Sequence, residues 1–348
     1  MTKERVLLIS PLFPAIGGIS VSVEKMRERL ILDGYDVSAI NIKFKNKRLN
    51  DKFFLFFKFA IIPFMIPFRK RYDIIHCHVS GGYRKFYLSL FKKLYKNASL
   101  IYTIHGDVGK LLNDKKSIKA LNSADGVICV QQGDSIKLRK LLSDSVHLRD
   151  IPAFFVTKSN SNDTLPEYIQ CFISSNASAS LLVVSGKIVV SDKYYDLYGL
   201  LDAAKLFKRL KEKGIDVKML MILIGEIASK DQLAIFNEIK QIVGSDSDFM
   251  ISESIAAIDK VFSASKIYLR PTKTDGDSLS VREALSCGCN VVASNVSNRP
   301  DGTILYDGSL DNMVEKTISV LSESQAVDYC DVDYYNDLIA FYNEVVSK

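Results

Sequence analysis

Short, nearly unbroken apolar runs recur along this chain, each followed by a polar or glycine-bearing loop and then a stretch of helical period. Val6-Leu-Leu-Ile-Ser10, Asp73-Ile-Ile-His-Cys-His78, Leu100-Ile-Tyr-Thr-Ile104 and Gly126-Val-Ile-Cys-Val130 are such runs, and Val146–Ile151 reads as a further strand. A run that is apolar at successive positions has both faces buried, as in a parallel strand covered by helices above and below. Strands alternating with helices predict an α/β fold on parallel sheets.

The pattern dissolves between Ala153 and Ser180 into Thr-Lys-Ser-Asn-Ser-Asn-Asp-Thr and Ser-Ser-Asn-Ala-Ser-Ala-Ser, separated by a short Leu165–Ile173 patch. This is the expected domain boundary. The first half is read as strand, glycine loop and helix (19–32), a basic helix (83–96) and a helix near 134–142. The second restarts with strand 181–185, helix 196–213, strand 218–224, helix 230–243, strand 249–251 and helix 256–265. Helices over 312–321 and 334–346 close the chain. The expected division is residues 1–155, residues 156–330, and a last helix within 331–348 that packs back toward the first domain. Two such halves would enclose a cleft between their sheet edges, where ligands sit by default.

The most informative stretch is Leu269-Arg-Pro-Thr-Lys-Thr-Asp-Gly-Asp-Ser-Leu-Ser-Val-Arg-Glu-Ala-Leu-Ser-Cys-Gly-Cys-Asn-Val-Val-Ala-Ser294. It reads as strand, loop 272–278, a helix from Leu279 to about Cys287 stopped by Gly288, and a second strand. The loop lies at the carboxyl end of its strand, where open α/β sheets bind ligands. The unpaired N–H groups and partial positive charge of a helix start suit a phosphate. Asp275 and Glu283 would then flank it and hold hydroxyls. A purely structural alternative stands beside this: Ser280-x-x-Glu283 is also a capping box.

Charge divides unevenly. Residues 1–150 hold 27 Lys+Arg against 13 Asp+Glu, a net +14, while the remainder holds 19 against 27, a net −8, within an overall +6. A basic first half joined to an acidic second half implies different partners. Residues 53–68 are the most apolar segment, too short to span a bilayer and interrupted by Lys58, Pro63 and Pro67. Cations fringe it throughout 43–71, which predicts an interfacial segment on an anionic membrane; the alternative is a buried element with a solvated basic rim. Six scattered cysteines without C-x-x-C spacing argue for free thiols in a reducing compartment. No signal peptide is expected, because the opening residues run straight into a strand. No nucleic-acid-binding motif accompanies the basic half.

Alternation places His76 and His78 on one face at the end of their strand. Two such histidines could ligate a metal, but no third ligand has suitable spacing, so a structural or hydroxyl-binding role is expected and no metal site is assigned. Gly17-Gly18 is not G-x-G-x-x-G, which argues against a dinucleotide; the pair permits close approach of a ligand or a tight turn.

Together these motifs resemble the GT-B glycosyltransferases, in particular the large retaining group known as family 4. The landmarks are Gly17-Gly18, Asp73-Ile-Ile-His-Cys-His78, Thr103-Ile-His105-Gly106, Ser185-Gly186-Lys187 and the block Pro271–Ser294, which is similar to the family's E-x7-E signature with Asp275 in place of the first Glu. The resemblance implies two Rossmann-like doubly wound domains facing an interdomain cleft. It also implies transfer of a sugar from a UDP- or GDP-linked co-substrate, with no cofactor and no metal. By the same resemblance Glu283 would bind the ribose. Asp275 and the amides of Gly276, Asp277 and Ser278 would hold the sugar, and the amides of Leu279 and Ser280 the diphosphate. Gly17 and Gly18 would approach the donor phosphate, Lys187 would stand where the family carries Arg, and His105 would sit beside the reacting sugar. The second family lysine has no clean match; Lys193 is off register by one. The expected acceptor is a polyprenyl-diphosphate-linked glycan of O-antigen or capsule assembly, on the inner face of the plasma membrane. A soluble acceptor and a non-catalytic nucleotide-sugar-binding protein are the alternatives.

Overall fold

The computed structural model describes residues 4–12, 18–42, 71–79, 83–95, 97–106, 108–155, 164–191, 193, 195–253, 255, 257–275, 278–323, 329 and 333–347. The chain divides into two compact units, residues 1–157 with 333–348, and residues 158–332.

The first unit carries the parallel strands β1 Arg5–Ser10, β2 Asp36–Asn41, β3 Ile74–Val79, β4 Ser99–Ile104, β5 Gly126–Cys129 and β6 His147–Asp150, in the order β2-β1-β3-β4-β5-β6. Its helices include α1 Gly18–Leu32, α2 Gly109–Leu112, α3 Lys115–Leu121 and α4 Asp134–Arg139, with a 3₁₀ helix over Tyr83–Tyr95. The second unit repeats the plan with β7 Ser180–Gly186, β8 Val217–Leu223, β9 Phe249–Glu253, β10 Ile267–Arg270, β11 Asn290–Ser294 and β12 Thr303–Tyr306. Their order is β12-β11-β10-β7-β8-β9, again all parallel. Around them lie α5 Glu167–Ser175, α6 Leu200–Glu212, α7 Lys230–Val243, α8 Ile258–Ser263, α9 Leu279–Ser286 and α10 Leu310–Ser322. The last helix, α11 Tyr335–Val346, belongs to the first unit.

The unbroken apolar runs have the burial that a two-faced sheet demands. In β1, Val6 and Leu8 pack on one face with Val23, Met26 and Leu30 of α1, while Leu7 and Ile9 pack on the other with Ile75, Cys77 and Tyr102. α11 sends Tyr335, Leu338, Phe341, Tyr342 and Val345 into the first of these faces, all at most 2% exposed. Burying that many large side chains is worth roughly 1.5–3 kcal/mol apiece. The helix is thus an integral part of the first unit's core.

Several boundaries differ from the sequence reading. The helix expected from Asp196 begins at Leu200, because Asp196 turns back to cap it: its carboxylate accepts from the N–H groups of Gly199 (3.1 Å) and Leu201 (2.7 Å). The helix over 83–95 is wound as 3₁₀. The Leu165–Ile173 patch is helix α5, whose C-terminal carbonyls of Phe172 and Ile173 accept from the buried Lys218 ammonium at 3.1 and 2.5 Å. Half-buried β2, the short edge strand β12, and the small helices α2 and α3 have too few apolar residues to announce themselves. No helix among the described residues is long and apolar enough to cross a membrane.

Candidate functional site

In both sheets the direction of strand addition reverses once, between β1 and β3 in the first and between β7 and β10 in the second. Crevices at such reversals, beyond the carboxyl ends of the strands, are where doubly wound sheets take ligands. In the second unit those ends deliver Gly186-Lys187 and Arg270-Pro271 side by side.

The loop after β10 is fixed by its own polar groups. Ser294 Oγ, at the end of β11, donates to the Thr272 carbonyl at 2.6 Å, and the fully buried Thr272 hydroxyl lies 2.7 Å from the Thr274 carbonyl and 3.0 Å from that of Leu197. The Lys273 amide donates to the same Leu197 carbonyl at 2.8 Å, and its ammonium pairs with Asp202 of α6 at 2.5 Å. Gly199 permits this approach. It has φ +68°, and a Cβ there would lie 2.1 Å from the Pro271 carbonyl oxygen. Any other residue would combine left-handed strain with a backbone clash.

α9 begins at Leu279 with Ser278 as its N-cap, and the Ser278 side chain makes no capping hydrogen bond. This corrects the capping-box alternative: Ser280 lies inside the helix, one residue past its start. Its hydroxyl accepts instead from Tyr268 (2.8 Å), whose own oxygen lies 2.9 Å from Ser185 Oγ in β7. That chain of hydroxyls ties β7, β10 and the helix start together. The first-turn N–H groups of Leu279 and Ser280 have no intrahelical acceptor, and Glu283 sits half-buried about one turn in. Lys187 follows β7 directly and is half-buried, whereas Lys193 is exposed. Gly276 and Asp277 lie outside the described residues.

Asp275 is held between two arginines. Arg270 grips it bidentately, Nε to Oδ2 at 3.0 Å and Nη2 to Oδ1 at 3.2 Å, and Arg299 Nη1 donates to Oδ2 at 2.7 Å. Burial alone would raise the carboxyl pKa, but the attraction and hydrogen bonds of Arg270 and then Arg299 outweigh it, and the group is held below its ordinary value. Arg270 also lies over the Tyr198 ring, 5.1 Å from its centroid. Neither arginine stands out in the sequence, since 24 residues separate Arg299 from its partner. A signal exists nonetheless: Arg-Pro occurs twice, at 270–271 and 299–300, once at and once shortly after the ends of adjacent strands.

In the first unit Gly17 lies outside the described residues, and Gly18 is the first residue of α1. A Cβ at Gly18 would meet nothing within 4 Å, so packing does not demand glycine there. His76 and His78 share a face of β3, as alternation predicts, with ring centroids 4.3 Å apart. His76 is spent structurally: Nδ1 lies 2.7 Å from the Tyr342 hydroxyl and Nε2 2.7 Å from Thr103 Oγ1. His78 Nδ1 lies 2.9 Å from Nε2 of His105, just beyond β4, and His78 Nε2 is buried without a partner. His78, His105, Thr103 and Ser22 line a cavity of about 10 Å³, room for about one water. Burial lowers His105 to about 4 and His76 to about 3, and pushes His78 well below its ordinary value. All three are therefore neutral near pH 7. Among the described residues no group of three or more His, Cys, Asp or Glu is placed to hold a metal ion. Residues 43–70 of the basic, aromatic segment lie outside the described residues.

Residues 186–324 match the family described as glycosyl transferases group 1. No curated protein matches the chain. Among solved structures, sucrose-phosphate synthase from Thermosynechococcus elongatus superposes with TM-score 0.67 at 14% identity, covering 99% of this chain and 94% of that one. The UDP-forming α,α-trehalose-phosphate synthase from Burkholderia xenovorans, in complex with glucose-6-phosphate, gives 0.66 at 13% identity, covering 99% and 97%. Anabaena HepE in complex with UDP and glucose gives 0.63 at 12% identity, covering 99% and 97%.

Proposed function

We propose that this protein, a chain of GT-B fold whose residues 186–324 match the glycosyl transferases group 1 family, transfers a sugar, with retention and without a metal, from a nucleotide-sugar donor to a lipid-linked glycan. One observation carries the reading. Within the matched segment, the strand–loop–helix unit at the β7/β10 reversal combines unpaired helix-start amides, Lys187 and Glu283. Breaking the bond from an anomeric carbon to a diphosphate builds negative charge on the leaving group and positive charge on the ring. In this reading the amides of Leu279 and Ser280 and the Lys187 ammonium take up the first, and Glu283 holds the ribose hydroxyls. Asp275 orders the sugar loop through its arginines. His105, neutral and fixed by His78, bonds a sugar hydroxyl beside the reacting carbon. The donor is UDP- or GDP-linked.

The lipid-linked acceptor, a polyprenyl diphosphate glycan of O-antigen or capsule assembly, rests on the cations and aromatics of residues 43–71, which suit peripheral attachment to the inner face of the plasma membrane. A second reading, a soluble acceptor, is favoured by the two superposing synthases of trehalose phosphate and sucrose phosphate. Transfer assays with UDP-, GDP- and dTDP-sugars test both, offered either a polyprenyl-diphosphate sugar in anionic vesicles or glucose-6-phosphate. Product only with the sugar phosphate would overturn the lipid reading; no product and no donor binding would overturn both.

A further inference from the structure

The arginine pair beside the donor loop is over-provisioned for the carboxylate it holds. Among the described residues two guanidiniums share the single carboxylate of Asp275, and the side chains of Arg270, Asp275 and Arg299 are only 12%, 11% and 1% exposed. A buried charge without a counter-ion is costly, and proteins keep one where something neutralises it. The hydrogen bonds tell the same story. Arg299 spends Nε on the Ser294 carbonyl (3.2 Å) and Nη1 on Asp275, while its Nη2 is buried with no partner. A guanidinium offers a rigid fork of donors matched to planar or tetrahedral oxyanions, and here one side of that fork is unused. The cluster is well supported. Tyr198 covers Arg270, and a Cβ at Gly186 would approach the Tyr198 Cβ to 2.8 Å, so the bare end of β7 lets the tyrosine sit there.

We propose that Arg270 and Arg299, spaced and held by Asp275, form an anion subsite for an oxyanion of the donor, either its diphosphate or a carboxylate on the transferred sugar. The inference rests on the nucleotide-sugar reading for the identity of the ligand, though not for the existence of the subsite. It gives Asp275 a positioning role: the carboxylate fixes the two guanidiniums that receive the anion. It also supplies guanidinium chemistry to a site whose β7 loop carries lysine at position 187.

The test is ligand-induced thermal stabilisation and calorimetric affinity for the full chain and for Arg299→Gln, Arg270→Gln and the charge-preserving Arg270→Lys. Far-UV spectra and ligand-free melting first establish that each variant is folded. The probes are inorganic pyrophosphate, uridine, UDP, UDP-glucose and UDP-glucuronate, with the GDP series alongside. Pyrophosphate should stabilise the wild type and lose at least about tenfold in affinity in both Gln variants, with Arg270→Lys retaining part of it. If the diphosphate is the ligand, the nucleotide diphosphates lose the same factor and uridine loses none. If a sugar carboxylate is the ligand, UDP-glucuronate alone outranks UDP-glucose in the wild type, and the Gln variants abolish that preference. Wild-type binding of pyrophosphate without binding of any nucleotide would defeat the donor reading and leave the subsite standing. Folded Gln variants that bind every probe as the wild type does would overturn the subsite, as would a wild type that binds none of them.

Discussion

His78 Nδ1 and His105 Nε2 lie 2.9 Å apart, so one of these buried imidazoles must present a bare nitrogen to the other's N–H. That requirement fixes complementary tautomers and excludes a second proton, in agreement with the lowered basicity of both rings. It follows that His105 faces its cavity as a hydrogen-bonding group rather than as a cation.

A pH dependence follows, with a definite sign. Unfolded histidines titrate near 6.5, whereas His105 and His76 titrate at about 4 and about 3 in the folded chain. Below pH 6.5 the unfolded chain therefore binds protons that the native one refuses. Stability is fully present above 6.5 and falls as the pH drops toward 4, by about 3 kcal/mol per histidine at the lower end. Urea midpoints measured between pH 7.5 and 4 should fall steeply in the wild type and less steeply in His105→Asn; a flat wild-type profile refutes the buried neutral cluster.

Tyr342→Phe keeps the ring and removes the hydroxyl that His76 Nδ1 meets at 2.7 Å. The orphaned imidazole nitrogen belongs to a fully buried ring, so the loss should be about 1–3 kcal/mol. Chemical denaturation monitored in the first unit reads this directly, and an unchanged midpoint would show that the contact contributes nothing.

Gly199→Ala should be among the most damaging single substitutions in the second unit. The φ of +68° and the 2.1 Å approach to the Pro271 carbonyl together put the cost at about 2–4 kcal/mol. Donor binding should weaken in parallel, because the displaced Pro271 opens the loop that follows it; thermal melting and nucleotide titration on one sample check both.

Asp275→Asn removes the negative charge between two guanidiniums. Breaking a buried ion cluster in this way costs about 3–5 kcal/mol. Since the carboxyl is held below its ordinary value by Arg270 and Arg299, its contribution is present at neutral pH and is lost as the pH falls through its folded titration range. The gap in melting temperature between wild type and Asp275→Asn should therefore close in acid; a gap that stays constant counts against the cluster.

Glu283→Gln makes the opposite pattern. The residue is half-buried, and Ser280, its partner in a capping box, lies inside the helix, so donor turnover should suffer more than ligand-free melting. Turnover of the preferred donor should fall by about tenfold or more, the amount expected for a lost charge-assisted bond to a ribose hydroxyl. Unchanged kcat/KM would remove Glu283 from the site.

What the sequence discloses, and what it withholds, follows from the range of the interactions. Strands such as β1 and β11 are legible because both faces are buried and every residue carries the signal. β2 and β12 are half-buried, so their patterns are diluted. The loop at 272–278 and the helix start at Leu279 can be read from spacing, since their chemistry is local. The partners of Asp275 at 299 and of His76 at 342 cannot, because chain separations of 24 and 266 residues leave no periodicity to detect. The neutrality of the histidines depends on burial that three strands, α1 and α11 create together.

The placement of α11 also orders events on the ribosome. Tyr335, Leu338, Phe341 and Tyr342 complete the core of a unit whose remaining residues end at 157, and all of residues 158–332 are synthesised in between. The nascent first unit must therefore wait with one face of its sheet covered only in part, by α1, while the residues of the second unit emerge as one continuous stretch. During that interval the positions that α11 later meets, among them Gly126 under Phe341 and Val345 and Ile128 beside Leu338, lie open, a natural target for a chaperone until the last helix arrives.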